Sequence, residues 1–534
     1  MAAVTQWSPH ADPGGPSAFG VDEFGVPTIL DRRAAQFPDR TMMIIADTAV
    51  TFAQMRERSR AAASALLEAG VRRGDTVALF MPTRPEWVYF WLGAAHIGAV
   101  SAAVNIANKG DFLSHALRLA RAKVLITDAD LRPRVAEVAA TVDTLSSVLV
   151  CDQLLAAASP DVPDLARGRP DEVGALFFTS GTTGPSKAVA TTWHYLFSVA
   201  AAAVAAWEFR PGEVLWSAMP LFHLSAAPLI LAPMLAGATT VLRSSFHPGQ
   251  VLDDIRDCGA AGFVGVGAMV RMLCNQPADP RDRDNPLRFI SAAPIAAEVY
   301  RRIEQRYAVR IVTMYGMTEA FPIACKSVSE DGVPGTSGRI NPAFEVRIVD
   351  DNDKPLPAGS AGEITCRARR PHMMSEGYAT PPGDGPQLRI QPHPDWFHTG
   401  DMGSLEEDGN LTYVDRVKDS LRRRGENVSS VEVETTVMAH PAVLEAAAVG
   451  IPSDLGEDDI LLVVAPRPGA ALDYTELLDF CAARMPYFCV PRYVEIVDGL
   501  PKNAIGRVRK DLLRSRGLSD TAWDREAHGY ILSR

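Results

Sequence analysis

The stretch that decides the fold of this chain begins at Phe177, ends at Val189 and reads FFTSGTTGPSKAV. It is a polar, glycine-containing segment between two apolar runs, and the preceding run Val173–Phe178 is typical of a short buried strand. Its hydroxyl groups, its glycines and Lys187 provide the O–H, N–H and ammonium donors that phosphate oxygens accept. The sequence therefore predicts a loop for the polyphosphate of a nucleotide, held between two strands.

This loop differs from the Walker A phosphate loop. That motif has four residues between its glycines and places its lysine directly before serine or threonine. Here only Thr182 and Thr183 separate Gly181 from Gly184, and alanine follows Lys187. A solvated turn between two strands has a similar composition, so the loop alone leaves both interpretations open.

Length and composition restrict the class of protein. A chain of 534 residues is longer than one hydrophobic core usually serves, so we expect more than one domain. With 47% hydrophobic and 22% charged residues, the chain has the composition of an ordinary globular protein. Its formal net charge of -11 argues against a nucleic-acid partner and against binding to an anionic membrane.

The cysteines and the apolar segments predict a cytoplasmic protein. The seven cysteines are scattered and never form a Cys-x-x-Cys pair, which favours reduced thiols over disulfides or a zinc site. Met1–Ser17 lacks a basic segment followed by an apolar run, so no secretory signal is expected. Leu224–Leu242 is uncharged, but its prolines and glycine favour a buried helix, turn and strand over membrane insertion.

The order of the predicted elements indicates an α/β fold. From Thr28 to Tyr315, helices alternate with short apolar strands, as in parallel sheets with crossover helices. From about Gly335 to Asp415, short alternating strands are broken by Pro, Gly and Asp, which is typical of a β-barrel. The remaining chain favours a small α+β unit, with helices predicted near Val431–Met438 and Tyr474–Met485.

We therefore predict a large N-terminal domain, built from two parallel-sheet α/β subdomains and a β-barrel, followed by a small α+β domain. The N-terminus at 1–20 is expected to be disordered. The N-terminal domain is predicted at 21–414, with its barrel part at about 335–414, and the C-terminal domain at 420–534. Residues 415–419 connect the two domains.

Several further segments carry residue types that suit a nucleotide and a metal ion. Met314–Glu319 reads MYGMTE and offers an aromatic face for a base, a hydroxyl donor and a carboxylate for a hard cation. Each segment alone is compatible with an ordinary turn. The others are Pro220–His223 (PLFH), Phe289–Pro294 (FISAAP), Trp396–Asp401 (WFHTGD), Asp415–Asp419 (DRVKD), Arg424–Val428 (RGENV) and Leu500–Lys510 (LPKNAIGRVRK).

In this order and separation, the segments resemble the motifs of the adenylate-forming superfamily, which includes acyl- and aryl-CoA synthetases, luciferases and the adenylation domains of peptide synthetases. The resemblance extends from about residue 28 to residue 515. The segment Trp523–Ala527 is similar to crotonobetaine/carnitine-type CoA ligases. The resemblance implies ATP-dependent adenylation of a small organic acid, release of pyrophosphate, and transfer of the acyl group to CoA.

The resemblance also implies roles for individual residues. Lys187, Thr318 and Glu319 would act on the phosphates of ATP, and Glu319 would help to hold Mg²⁺. His223 would stand as a gate beside the acid, and Lys418 would be the hinge of a mobile C-terminal domain. The residues implied to bind ATP are Thr179, Ser180, Gly181, Thr182, Thr183, Gly184, Lys187, Ala292, Ala293, Pro294, Met314, Tyr315, Gly316, Thr318, Asp401 and Arg416. The residues expected to line the acid pocket are His223, Ser225, Val266, Gly267, Met317 and Phe321.

Two positions depart from the family pattern. Ala188 stands where the family usually has glycine, a mild change. Arg507 stands where a catalytic lysine is expected to bridge the substrate carboxylate and the α-phosphate. Arginine keeps the charge, but its guanidinium is planar and bulkier than an ammonium. Lys502 and Lys510 lie nearby, and neither fits the motif position.

Three other functions stay open at the level of sequence. An enzyme of this fold could activate nitrite with ATP and transfer it to an aryl amine, or it could load an acyl group onto a carrier protein. The alternative from a different class is a non-catalytic sensor of a nucleotide or acyl ligand. The observation in its favour is Arg507, which stands in place of the catalytic lysine. The sequence is compatible with a monomer or a homodimer, and it leaves the acid and the acceptor open.

Overall fold

The computed structural model describes residues 19–20, 23–156, 168–179, 186–380, 388–416, 420–424, 426–454, 456–501 and 508–532. Its helices are α1 Val26–Gln36, α2 Phe52–Glu68, α3 Pro85–Ile97, α4 Gly110–Leu119, α5 Arg132–Ala139, α6 Cys151–Ala156, α7 Trp193–Trp207, α8 Ala232–Ala236, α9 Val251–Cys258, α10 Gly267–Cys274, α11 Ala297–Tyr307, α12 Ser430–Met438, α13 Tyr474–Arg484 and α14 Lys510–Arg516. A short π-helix, Ala227–Leu231, precedes α8.

The strands follow the alternation that the sequence predicts. They are β1 Thr41–Ile45, β2 Thr48–Thr51, β3 Thr76–Phe80, β4 Val100–Ala103, β5 Ala122–Thr127, β6 Ser147–Val150, β7 Val173–Thr179, β8 Lys187–Thr192, β9 Val214–Ser217, β10 Thr239–Leu242, β11 Gly262–Val264, β12 Phe289–Ser291, β13 Arg310–Val312, β14 Met314–Met317, β15 Ala320–Cys325, β16 Arg339–Ile340, β17 Phe344–Val349, β18 Gly362–Ala368, β19 Gly377–Ala379, β20 Ile390–Gln391, β21 Phe397–Leu405, β22 Leu411–Arg416, β23 Ser420–Arg423, β24 Glu426–Ser429, β25 Val443–Pro452, β26 Asp458–Pro466, β27 Tyr493–Ile496 and β28 Trp523–Asp524.

Local sequence signals set the starts of the N-terminal helices. Thr51 caps α2, because its side chain accepts a hydrogen bond from the N–H of Gln54, whose side chain accepts one from the N–H of Thr51. This reciprocal pair is the capping box that the sequence predicts. Helix α3 begins at Pro85, where the missing N–H would have had no intrahelical partner.

Two large sheets form the N-terminal part. The first has the strand order β13, β12, β11, β9, β10, β1 and β2, and the second has the order β20, β19, β8, β7, β4, β3, β5 and β6. Neighbours such as β11 and β12, or β3 and β4, are parallel, as the alternation of strands and helices predicts. Antiparallel strands are added to this plan, because β2 runs against β1 and β8 runs against β7.

Helices cover both faces of each large sheet, because parallel strands bury both of their faces. One core lies between the two sheets. It holds α1, α2, α3 and α7, together with Phe177 from one sheet and Phe289 from the other. Helices α4 and α5 cover the outer face of the eight-stranded sheet, and α9 to α11 cover that of the seven-stranded sheet. The carboxyl ends of the parallel strands are the region that these layers leave open for ligands.

The antiparallel segment predicted as a β-barrel forms a curled sheet. Strands β14, β15 and β16 make a three-stranded sheet, and β17, β18, β21 and β22 make a four-stranded sheet. Backbone pairing between Arg339 and Asn410 connects the two. Strands β19 and β20 come from the same part of the chain but extend the eight-stranded sheet, because Tyr378 on β19 pairs with Val189 on β8.

The C-terminal part is a small α+β domain, as predicted. Strands β25, β26, β27 and β28 form its sheet, with α12 and α13 on one face and α14 on the other. Phe112 of α4 packs against this C-terminal core, and the ammonium group of Lys109 donates a hydrogen bond to the carbonyl oxygen of Ala482. These contacts dock the C-terminal part on the N-terminal part.

The apolar segment Leu224–Leu242 contains the π-helix, α8, a left-handed turn at Gly237 and β10, which confirms the predicted helix, turn and strand. Among the described residues, no helix combines the length and the apolar character that a bilayer crossing needs. All seven cysteines are free thiols.

Candidate active site

The carboxyl ends of neighbouring parallel strands bring the predicted acid and adenine residues together. Val266 and Gly267 follow β11, and Ala292–Pro294 follows β12. A Cβ atom on Gly267 would lie 1.9 Å from the carbonyl oxygen of Pro294, so only glycine lets the two segments touch. This contact lies outside the strand ends, the region where open α/β sheets bind their ligands.

Tyr315 and Asp401, which come from separate motifs, are directly hydrogen-bonded. The hydroxyl of Tyr315 donates to Oδ2 of Asp401 at 2.9 Å, and both side chains are buried. Burial, and then the negative charge of Asp401, raise the pKa of Tyr315 well above its ordinary value, so the hydroxyl keeps its proton. The fold thus joins the residue expected at the adenine to the residue expected at the ribose. Asp401 also pairs across the sheet with the backbone of Arg416.

Thr318 and Glu319 form the tight turn between β14 and β15. The carbonyl oxygen of Thr318 accepts a hydrogen bond from the hydroxyl of Tyr195 at 3.2 Å, which fixes the turn on α7. Glu319 is only 7% exposed, and its Oε1 accepts a hydrogen bond from the hydroxyl of Tyr378 at 2.7 Å. A buried carboxylate is therefore held in a defined position at the tip of this hairpin.

Tyr378 connects Glu319 to Lys187. The Nζ atom of Lys187 lies 4.5 Å from the centre of the Tyr378 ring, a favourable distance for a cation over an aromatic face. Burial, and then the charge of Glu319, raise the pKa of Tyr378 far above its ordinary value. The tyrosine therefore holds a cation from the eight-stranded sheet and a carboxylate from the β14–β15 hairpin in one small region.

A half-buried histidine supports this arrangement. The ring of His393 packs edge-on against Tyr378, with 5.1 Å between the ring centroids, and its Nε2 atom lies 2.7 Å from the hydroxyl oxygen of Ser375. Burial, and then the charge of Lys187, lower the pKa of His393 to about 4. The imidazole is therefore neutral at pH 7 and adds no positive charge beside Lys187.

The ends of the predicted phosphate loop are fixed by sheet pairing. Thr179, at the end of β7, pairs with Lys187, at the start of β8. Ser180–Gly184 lies outside the described residues, so its phosphate contacts stay a prediction. The two strands that flank the loop confirm the prediction of a segment held at both ends, and their antiparallel pairing is a feature that the sequence did not predict.

The C-terminal part reaches the predicted acid pocket through Glu426. The Nε2 atom of His223 lies 2.9 Å from Oε2 of Glu426, and the side-chain amide of Asn105 donates to the same oxygen at 3.3 Å. The His223 ring also contacts Phe222, with 4.7 Å between centroids. The predicted gate residue is thus held by a carboxylate from the C-terminal part.

A second carboxylate of the C-terminal part reaches the end of the phosphate loop. Both polar hydrogens of Ser186 are donated to Glu432, which lies in the first turn of α12. The carbonyl oxygen of Ser186 is held from the other side by Nε2 of His115 at 2.9 Å. Burial raises the pKa of Glu432 above its ordinary value, while the hydrogen bonds from Ser186 act in the opposite direction.

The remaining predicted residues occupy the same region or fall outside the described chain. The hydroxyl of Ser225 donates to the carbonyl oxygen of Pro220 at 3.2 Å, which shapes the segment that carries His223. Met317 and Phe321 are half-buried on the β14–β15 hairpin, with Met314 and Gly316 on the same element. Lys418 and Arg507 lie outside the described residues, as does the side chain of Arg416.

Sequence reasoning missed Asn105, Tyr378, His393, Glu426 and Glu432 as site residues. Tyr378 is a single aromatic residue on a three-residue strand, and its neighbour across the sheet is Val189. No spacing in the sequence indicates that pairing. Glu426 lies in the matched segment Arg424–Val428, whereas Glu432 follows that segment, and the match does not indicate which residues of the other part either glutamate contacts.

The donor set fits Mg²⁺ that arrives with ATP. Mg²⁺ in such sites usually keeps several waters and takes one or two carboxylates together with phosphate oxygens. Glu319 offers one buried carboxylate, and the described part of the chain has no group of three or more His, Cys, Asp or Glu side chains that would hold a metal by itself. Glu319 would therefore bind Mg²⁺ only together with the phosphates.

This fold and this site define an adenylate-forming enzyme. The chain belongs to the AMP-binding enzyme family, whose sequence profile matches residues 30–379. The profile of the AMP-binding enzyme C-terminal domain matches residues 432–507.

Individual relatives agree with this membership. A crotonobetaine/carnitine–CoA ligase from Salmonella typhi is 30% identical over 509 residues, which are 91% of this chain and 98% of the relative. The amide bond synthetase McbA from Marinactinospora thermotolerans has a similar structure, with a TM-score of 0.77, 27% identity and coverage of 91% of this chain and 99% of McbA. The fold is shared with an o-succinylbenzoate CoA synthetase from Bacillus subtilis bound to a product analogue, with a TM-score of 0.80, 24% identity and coverage of 92% and 98%.

Proposed function

We propose that this enzyme adenylates a small organic acid with ATP and Mg²⁺, releases pyrophosphate, and passes the acyl group to CoA. The observation that carries the proposal is the bridge formed by Tyr378 between Lys187 and Glu319. The ammonium of Lys187 and the carboxylate of Glu319 both contact this tyrosine, and Lys187 follows a loop whose composition suits a polyphosphate, which supports a role for both residues at the phosphates of ATP. Membership in the AMP-binding enzyme family supports the same reaction.

In the first step, a carboxylate oxygen of the acid attacks the α-phosphorus of ATP, and the bond from that phosphorus to pyrophosphate breaks. Negative charge builds up on the phosphate oxygens, so the ammonium of Lys187 acts by electrostatic stabilisation. Bound Mg²⁺ would neutralise part of the phosphate charge. Asp401 accepts hydrogen bonds from the ribose hydroxyls, Tyr315 contacts adenine, and Thr318 donates to the α-phosphate.

In the second step, the sulfur of CoA attacks the carbonyl carbon of the acyl adenylate, and AMP leaves. We assign 21–414 to the N-terminal domain and 420–534 to the C-terminal domain, with Lys418 as the pivot between them. The contact of Glu426 with His223 supports a C-terminal domain that reaches the acid pocket in this step.

The free thiols of all seven cysteines support the reducing cytoplasm as the location of the enzyme.

A panel of substrates tests the proposal. The protein is incubated with ATP, Mg²⁺ and either a series of carboxylic acids or nitrite. Each reaction is run alone, with CoA, with an aryl amine and with a phosphopantetheinylated carrier protein. We expect at least one carboxylic acid to yield AMP, pyrophosphate and a CoA thioester, identified by mass spectrometry.

Each alternative has its own outcome in this panel. AMP formation that depends on nitrite and ignores every carboxylic acid would establish an enzyme that activates nitrite. Acyl transfer to the carrier protein or to the amine, with none to CoA, would change the acceptor while keeping the first step. Failure to release pyrophosphate with any acid or with nitrite would favour a sensor.

A further inference from the structure

The β14–β15 turn that carries Glu319 is held by three hydrogen-bond donors from outside the hairpin. The carbonyl oxygen of Thr318 accepts from the hydroxyl of Tyr195, and Oε1 of Glu319 accepts from the hydroxyl of Tyr378. The third donor is the backbone N–H of Ser375, which lies 2.8 Å from the carbonyl oxygen of Glu319. Because Ser375 and Tyr378 are only three residues apart, one short segment holds both the backbone and the carboxylate of Glu319.

Ser375 has a second contact, through its side chain. The residue is only 6% exposed, and its hydroxyl oxygen lies 2.7 Å from Nε2 of His393. The ring of His393 meets that of Tyr378 at 82° and also contacts the ring of Phe397, with 4.8 Å between centroids. His393 thus contacts both residues that hold Glu319, one by a hydrogen bond and the other by packing.

Strand pairing brings His393 to this position. Tyr378 on β19 pairs with Gln391 on β20, and His393 follows Gln391 by two residues. Gly377 lets the two strands approach, because its φ is +120° and a Cβ atom there would lie 2.0 Å from the carbonyl oxygen of Gln391. The backbone therefore sets His393 beside Tyr378.

The imidazole of His393 contributes a hydrogen bond rather than a charge. Burial, and then the charge of Lys187, lower the pKa of His393 to about 4, so the ring is neutral at pH 7. Its Nδ1 atom is buried and has no hydrogen-bond partner within the described residues. A buried polar atom without a partner lowers stability, so stability alone would favour a phenylalanine ring here. What the imidazole adds is its hold on Ser375.

We propose that Ser375 and His393 are positioning residues that hold Glu319 where it binds Mg²⁺ together with the phosphates of ATP, an inference that rests on the proposed function. They act through the turn and through Tyr378, and not on ATP itself. Loss of the hydrogen bond between them leaves the carboxylate of Glu319 intact but less fixed in position. Mg²⁺ that arrives with ATP then loses part of the benefit of a preorganised ligand.

Calorimetric titration of ATP into the full-length protein, with and without Mg²⁺, tests this role and needs no turnover. The quantity compared is the factor by which Mg²⁺ tightens the binding of ATP. The variants are Ser375→Ala, His393→Phe, which keeps a ring but loses the hydrogen bond, and His393→Gln, whose amide takes the place of Nε2. Ser245→Ala and His247→Phe are matched controls, because these residues form an exposed serine–histidine pair with 2.8 Å between Oγ and Nε2.

We expect Ser375→Ala and His393→Phe each to reduce this factor on the order of threefold to tenfold, since each loses one hydrogen bond. Binding of ATP without Mg²⁺ should stay unchanged, and His393→Gln should keep most of the wild-type factor. The double variant Ser375→Ala with His393→Phe should be no weaker than either single variant, because all three lack the same hydrogen bond. Both controls should match the wild type.

Three results would overturn the positioning role: an unchanged factor in both Ser375→Ala and His393→Phe, equal weakening of ATP binding with and without Mg²⁺, or a wild type whose ATP binding ignores Mg²⁺. Failure of the proposed function is distinct from these. It appears as a wild type that binds ATP more tightly with Mg²⁺ but releases no pyrophosphate with any acid.

Discussion

The backbone N–H and the hydroxyl group of Ser186 both donate hydrogen bonds to Oε1 of Glu432, at 2.9 and 2.8 Å. Ser186 is the last residue before Lys187 in the predicted phosphate loop. Glu432 lies in the first turn of α12, in the C-terminal part. The loop donors are of the kind that phosphate oxygens accept, so Glu432 and a phosphate compete for them. This arrangement therefore suits the stage at which pyrophosphate has left the loop.

Glu432→Ala should slow acyl transfer to CoA while leaving formation of the acyl adenylate close to normal. Hydrogen bonds to a charged group contribute about 1.5–3 kcal/mol each, so loss of this contact should lower the transfer rate on the order of tenfold or more. The measurement is a single-turnover comparison of pyrophosphate release and thioester formation. Glu476→Ala is the control, because Glu476 is 69% exposed on α13. Equal slowing of both steps would contradict the assignment.

Glu319→Gln should lower Mg²⁺-dependent formation of AMP by a factor on the order of 10², as removal of one electrostatic element of a reaction site commonly does. Tyr378→Phe keeps the aromatic face for Lys187 but removes the hydrogen bond to Glu319. This variant should therefore lower AMP formation by a smaller factor, on the order of fivefold to tenfold. AMP formation is measured across a series of Mg²⁺ concentrations.

Tyr530→Phe is the matched control for Tyr378→Phe, since the hydroxyl of Tyr530 donates to Asp479 at 2.6 Å in the C-terminal part. It should leave the Mg²⁺ dependence unchanged. If Glu319→Gln kept the Mg²⁺ dependence of the wild type, the assignment of Glu319 as a ligand of Mg²⁺ would be wrong.

The contact between His223 and Glu426 should couple the two parts of the chain during transfer to CoA. In a double-mutant cycle with His223→Ala and Glu426→Ala, we expect a coupling of about 0.5–3 kcal/mol in the transfer rate, the range for residues in direct contact. The control cycle uses His398 and Glu363, whose side chains lie 3.0 Å apart on the curled sheet. Additive effects at His223 and Glu426 would refute the coupling.

His393 should make the stability of the N-terminal part depend on pH. Its pKa is about 4 in the folded protein, below the ordinary value of 6.5, because burial and Lys187 oppose protonation. The unfolded chain then binds the proton first as the pH falls. The contribution of neutral His393 to the free energy of unfolding is therefore complete above pH 6.5, and it is lost as the pH falls towards 4.

With allowance for solvent screening, protonation of His393 should lower the free energy of unfolding by about 1–3 kcal/mol. Urea unfolding at pH 7 and at pH 5 measures it, and His393→Gln should reduce the difference between the two. His247→Gln is the matched control, since His247 is exposed and also contacts a serine hydroxyl, that of Ser245 at 2.8 Å. An unchanged pH dependence in His393→Gln would assign the effect to other groups.

Arg507→Lys tests the position at which the chain departs from the family pattern. If the enzyme activates carboxylic acids, an arginine fork can pair with the carboxylate, and the lysine variant should retain or raise pyrophosphate release. If the wild type were a sensor, it would release no pyrophosphate, whereas the lysine variant would release it. Pyrophosphate release by both proteins across the acid panel decides between these outcomes.

Much of the fold follows from local signals in the sequence. The capping box at Thr51 and the proline at the start of α3 mark helix starts that the structure confirms, because the orphan N–H groups at a helix start are satisfied locally. The prolines and the glycine in Leu224–Leu242 likewise predict a broken, buried segment. Such features depend only on neighbouring residues.

The sequence by itself determined the two-sheet α/β plan, the small C-terminal domain and the family, since periodicity and ordered motifs are properties of contiguous residues. Only the tertiary structure decided which motif residues meet. The pairing of β19 with β8 brings Tyr378 between Lys187 and Glu319, and docking of the C-terminal part brings Glu432 to Ser186. These contacts join residues far apart in the chain, so they depend on how sheets pair and domains dock, which no local pattern encodes.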